Sequence, residues 1–176
     1  MAQRFPKTIR GAAAAGLIVA SAPPAAADLR VQFLEGAPRD RFVIHNEGAC
    51  GLAAPRLTID LGPSAGGLFF DTDIGGPGSN VTGAFEPIDD LARAATVSIV
   101  DDGATVVEMT FPGIPAGATT RFQFDADDSV TGSGFGTTVS GAEIVGATAT
   151  LNDDAVAVFD AAGIVYLPAI DLCPVS

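Results

Sequence analysis

The stretch TVVEMTFPGIPAGATTRFQFDADDSV, residues 105–130, decides how the chain is read. In its first arm Val107, Met109 and Phe111 alternate with Val106, Glu108 and Thr110, the period of two that marks a strand with one buried face. Pro112-Gly113-Ile114-Pro115-Ala116-Gly117 follows, dense in residues that fix φ or permit positive φ, and so must be a loop. The second arm puts Phe122 and Phe124 on one face and Arg121 and Gln123 on the other, then runs out into Asp125, Asp127 and Asp128. The spacing predicts a hairpin that supplies core on one side and an acidic cluster at one end.

The same alternation recurs on both sides. Leu29, Val31 and Phe33 alternate with Arg30 and Gln32; Phe42 and Ile44 mark a second strand over Arg41 to Asn46; Leu57, Ile59 and Leu61 mark a third. Gly67 to Phe70 is a short apolar run, and Val81 to Ile88 holds room for another short strand. Asp89 to Ala94 is the one place where a helical turn is expected, with acids at its start. Thr96–Val100 and Thr105–Phe111 flank Asp101-Asp102-Gly103, a strong hairpin signal. Segments at Thr137–Ser140 with Ala142–Val145, at Ala147–Leu151, at Ala155–Phe159 and at Ile164–Leu167 complete the series. About ten short strands with turn signals every 8–12 residues predict an all-β fold, a single antiparallel β-sandwich of Ig-like or jelly-roll-like type, with a closed barrel as the alternative.

The first 27 residues read differently. Arg4, Lys7 and Arg10 precede an apolar run from Gly11 to Ala22, and Ala25-Ala26-Ala27 offers a small-residue cleavage site: the pattern of a secretory signal peptide, too short to span a bilayer. Residues 28–176 are then the sandwich domain, secreted or periplasmic. Without the leader, six arginines stand against 21 acids, a formal charge of −15, and no lysine is left. Such a balance argues against nucleic acid and anionic membrane surfaces as partners, which need clustered cations, and favours attraction of cations. Export also gives the two cysteines a meaning. Cys50 and Cys173 are expected to form a disulfide, worth about 4–5 kcal/mol on the chain-entropy argument for so long a loop.

Catalytic constellations are hard to assemble. His45, the sole histidine, falls on the outward face of its strand, and no serine motif accompanies it. Acids are plentiful, but nothing in their spacing selects the pair that a two-carboxylate hydrolase needs. Metal binding is better motivated. Asp71-x-Asp73-x-Gly75 and Asp125-x-Asp127-Asp128 each set carboxylates two apart beside flexible loops, after a Phe-rich strand end, a pattern that can converge on Ca²⁺. Neither is an EF-hand, since the matching glutamate and the flanking helices are missing. The competing reading is that these aspartates cap turns. Aromatic stacking on carbohydrate is disfavoured: tryptophan is absent and Tyr166 is the only tyrosine.

Arg41-Phe42-Val43-Ile44-His45-Asn46 leading to Cys50, Leu57-Thr58-Ile59-Asp60-Leu61, Gly67-Leu68-Phe69-Phe70-Asp71, Phe111-Pro112-Gly113, Phe124-Asp125-Ala126-Asp127-Asp128 and Val139-Ser140-Gly141-Ala142-Glu143 together resemble a group of small exported bacterial proteins. Those proteins are described as similar to the core protein of the marine sponge aggregation factor. The resemblance covers nearly all of residues 28–176 and implies an extracellular sandwich with an adhesion role and no catalytic motif. The expected function is a non-enzymatic adhesion or aggregation module, calcium-assisted, whose partner is a protein, a cell-surface component or a second copy. It would not insert into the membrane once the leader is removed. The alternatives are a periplasmic module for a small ligand, which predicts an apolar pocket with convergent polar groups, and the two-carboxylate hydrolase.

Overall fold

The computed structural model describes residues 28–78, 81–129, 139 and 141–169. Its strands form where the alternation places them. The first half of the chain supplies β1 (Asp28–Leu34), β2 (Asp40–Asn46), β3 (Leu52–Ala53), β4 (Arg56–Asp60), β5 (Phe69–Phe70) and β6 (Glu86–Pro87). A single helical turn, α1 (Asp90–Ala94), follows; Asp89 caps it by accepting from the Ala92 amide at 2.9 Å, as a short oxygen-bearing side chain does best. Then come β7 (Thr96–Val97), β8 (Val106–Thr110), β9 (Gly113–Ile114), β10 (Thr119–Phe124), β11 (Ala126–Asp127), β12 (Thr148–Leu151), β13 (Ala155–Val158) and β14 (Ile164–Pro168).

Two five-stranded sheets carry the architecture, in the orders β14-β1-β2-β10-β6 and β13-β12-β4-β8-β7. Every pairing is antiparallel, and neither sheet closes into a barrel. The protein is an all-β sandwich. The buried side chains of the two sheets interleave: Leu29, Val31, Phe42, Ile44, Phe122 and Phe124 from one, and Leu57, Ile59, Val107, Met109, Ala149 and Leu151 from the other. Phe42 stacks on Phe124 with ring centroids 4.5 Å apart, and Phe70 meets Phe124 edge to face at 5.4 Å, the geometries that aromatic quadrupoles favour.

The organising stretch is not the hairpin that its pattern suggests. β8 lies in one sheet, beside β4 and β7, while β10 lies in the other, beside β2 and β6. The chain arches across the core instead of folding back on itself. The reason lies in the loop: β9 within it pairs with β3, which uses backbone that a tight turn would need. Alternation shows that each arm has a buried face, but not that the two arms share a sheet. A second expectation also fails. Residues 142–145 form a turn, not a strand, although Ile144 in it is fully buried. The Thr137–Ser140 segment lies outside the described residues except Val139, as do the leader and Cys173.

Candidate metal centre

The two-residue ladder β5–β11 sets the centre of the site. It pairs Phe70 with Ala126 and Phe69 with Asp127, so the next residue out, Asp71, stands beside Asp125, to whose carbonyl its amide donates at 3.0 Å. This register follows from burial: Phe69, Phe70 and Ala126 all belong inside. It carries three carboxylates inward with them. Asp71 is wholly inaccessible to solvent, and Asp125 and Asp127 are only 8% and 7% exposed.

A fourth aspartate, which sequence reading treats only as part of a turn, arrives from the β7–β8 connection. The Gly103 amide donates to the Phe70 carbonyl at 2.9 Å and the Phe70 amide to the Ala104 carbonyl at 2.8 Å. That fixes Asp102 over the start of the Asp71 loop, where its Oδ1 accepts from the Thr72 amide at 2.9 Å and the Asp73 amide at 3.3 Å. Above these carboxylates runs Gly75-Gly76-Pro77-Gly78. A methyl group on Gly76 would collide with Asp102 Oδ2. One on Gly78 would collide with Asp71 Oδ2 and stand 2.7 Å from Asp127 Oδ2. The glycines are required because backbone approaches the carboxylate oxygens so closely.

The electrostatics of this arrangement are unfavourable as it stands. Neither oxygen of Asp71 has an amide or hydroxyl donor, and Asp125 Oδ2 has none. Burial, followed by repulsion from Asp127, Asp102 and Asp125 and by a proton shared with the Asp102 carboxylate, pushes the Asp71 carboxyl up to about 7. Burial and Asp127 push Asp125 up to about 6, with Arg39 opposing. A buried charge without compensation is among the costliest features a fold can carry. Two things could relieve it: protonation or a bound cation.

Asp40, across the strand from Phe124, marks the contrast. It is buried too, and burial raises its carboxyl to about 7. Yet both its oxygens are answered, by the amides of Gly36 at 3.1 Å and Ala126 at 3.2 Å. Asp40 is therefore structural.

Of the five aspartates singled out by spacing, Asp71, Asp125 and Asp127 come together. Asp73 is exposed and Asp128 is half-buried. Asp102 and the two glycines were missed because their place depends on a contact between chain segments far apart; only an acid beside a glycine hints at it. Among the described residues no group of three acidic, histidine or cysteine side chains is placed to hold a metal ion, so a cation would bind only if these carboxylates shifted together. The donor set is nonetheless suited to one. It consists of hard anionic oxygens, the ligands of Ca²⁺ and Mg²⁺ rather than of softer metals.

At the other end of β2 the polar chemistry is complete. Asn46, also fully buried, donates through Nδ2 to the carbonyls of Cys50, Ile114 and Pro115, and its Oδ1 accepts from the Gly48 amide. Beside it, His45 Nδ1 lies 2.8 Å from Thr119 Oγ1 and 3.1 Å from the Ala118 carbonyl. Among the described residues no cysteine is free.

No protein-family model, curated protein or solved structure matches this chain.

Proposed function

We propose that this chain is an exported, non-enzymatic β-sandwich module that associates with a cell-surface component or with a second copy of itself, and that its acidic end works by binding Ca²⁺. The single observation that carries this reading is Asp71, wholly buried with no amide or hydroxyl donor to either carboxylate oxygen. Such a group is satisfied by a cation in a way that turn-capping cannot provide. The sequence resemblance to aggregation-factor-like exported proteins supports the association role, and the leader-like residues 1–27 support export. The expected Cys50–Cys173 bond belongs to the same reading of an exported chain.

The two alternatives are less well supported by the geometry. A hydrolase needs its carboxylates at the wall of a cleft that admits substrate, whereas here glycine backbone covers them. A groove of about 510 Å³ does exist, lined by Leu52, Ala53, Leu91, Ile114 and neighbouring glycines and prolines. Its side chains are all apolar, without the convergent polar groups that fix a small ligand.

The test is association itself. Beads coated with the purified protein, mixed with one another and with cell envelopes, should cluster or adhere in millimolar Ca²⁺ and disperse in chelator. Beads indifferent to Ca²⁺, or clustering equally in chelator, would contradict the reading.

A further inference from the structure

We infer that Asp71, Asp102 and Asp127 are the side-chain ligands of one Ca²⁺ ion, which clamps together the end of β5, the β7–β8 connection and β11, with Gly76 and Gly78 kept bare so that the lid can close over it. The inference rests on the cation-binding reading above and goes beyond it in naming the ligands and the lid.

Four observations carry it. Asp71 is fully buried, and both its oxygens lack an amide or hydroxyl donor. Asp127 directs Oδ2 at the same point beside Gly78 that Asp71 Oδ2 faces. Asp102 is tethered through Oδ1 to the amides of Thr72 and Asp73, while its Oδ2 meets Gly76, so one oxygen fixes the loop and the other faces the lid. Finally, the side-chain-free edges of both glycines lie against the oxygens, which leaves the ion's remaining positions to backbone carbonyls and water. Asp125 is left out of the ligand set because neither glycine approaches its carboxylate and Arg39 opposes its charge.

The choice of Ca²⁺ follows from how the ligands are held. They come from three separate segments joined by loops, an adaptable cage of the kind Ca²⁺ accepts with six to eight oxygens at about 2.3–2.6 Å. Mg²⁺ demands a tighter octahedron and gives up its waters reluctantly. Ligands that come from three segments and must shift together suit the larger, less exacting ion. Asp73, exposed and contributing only its backbone amide, is excluded from the ligand set.

The experiment is a melting series on the full-length protein in chelator, CaCl₂ and MgCl₂, for wild type, Asp71→Asn, Asp102→Asn, Asp73→Asn and Gly78→Ala. Wild type and Asp73→Asn should gain several degrees in CaCl₂ and much less in MgCl₂. Asp71→Asn should lose the Ca²⁺ response and Asp102→Asn should bind Ca²⁺ more weakly than wild type, as expected for loss of a charged ligand. Gly78→Ala should lose the response because its methyl occupies the oxygens' meeting point. If that variant folds poorly in chelator, the two Asn variants decide alone. A wild-type response that Asp102→Asn keeps and Asp73→Asn loses overturns the ligand assignment and leaves the cation reading standing. A wild type indifferent to Ca²⁺ overturns both.

Discussion

Two fully buried polar side chains sit near opposite ends of this sandwich, and they are solved in opposite ways. Asn46 uses its amide nitrogen and oxygen four times over, on the Cys50, Ile114 and Pro115 carbonyls and the Gly48 amide. Asp71 has no amide or hydroxyl donor on either oxygen and faces further aspartates, with Asp102 near enough to share a proton with it. The first is a knot that the chain ties from its own backbone. The second is left unanswered by the chain's own donors, and on our proposal a cation completes it. Both cost desolvation; only one is repaid inside the fold.

The comparison can be broken most forcefully at the knot. Asn46→Ala strands the buried Gly48 amide and removes a donor from the Cys50, Ile114 and Pro115 carbonyls, and should cost about 2–4 kcal/mol. Denaturant unfolding should give the same loss in chelator and in Ca²⁺. A loss that Ca²⁺ reverses would mean the two ends are not independent.

Next in size is the pH profile. The carboxyls of Asp40 and Asp71 are raised to about 7, and that of Asp125 to about 6, by burial first of all. The folded state therefore holds more protons than the unfolded one between pH 4 and 7. Stability then falls as pH rises through that window, opposite to the trend of a carboxylate held by a salt bridge. In chelator the fall should reach about 2–4 kcal/mol, less than three independent groups would give because they are coupled. Ca²⁺ should flatten it by favouring the ionised forms. A chelated protein that gains stability from pH 4.5 to 7 contradicts the account.

Asp71→Asn sharpens the contrast further. It removes a buried charge, so in chelator at neutral pH it should stabilise the protein by about 1–3 kcal/mol while abolishing the response to Ca²⁺. Removing a well-paired buried charge would do the reverse. The smallest effect belongs to Asp73→Asn, expected within about 0.5 kcal/mol of wild type with the Ca²⁺ response intact, as read from paired melts.

How legible was this in the sequence? Period-two alternation identified the buried residues of β1, β2, β4, β8 and β10, because a strand half inside a core must alternate. It could not say that β8 and β10 face each other across the core, since two strands of one hairpin and two strands of an arch carry the same pattern. Ile144 shows the converse: burial in a turn leaves no period to read. At the acidic end, the DxD spacing located Asp71, Asp125 and Asp127, which lie in or beside one short ladder. Asp102 stayed hidden because its place depends on the Gly103–Phe70 contact, and no local spacing records a pairing between segments so far apart. Asn46 was read only as a strand end, although its side chain is the fold's most heavily used amide among the described residues.

The most direct test of the central claim is equilibrium dialysis of the purified, chelator-stripped protein against radioactive Ca²⁺ at neutral pH, with Asp71→Asn alongside. One ion bound per wild-type chain, with an affinity in or tighter than the roughly 10⁻⁴–10⁻³ M range of extracellular modules, and none on Asp71→Asn, is the predicted result. No bound Ca²⁺ at ten times the upper end of that range, or equal binding by both proteins, would contradict it.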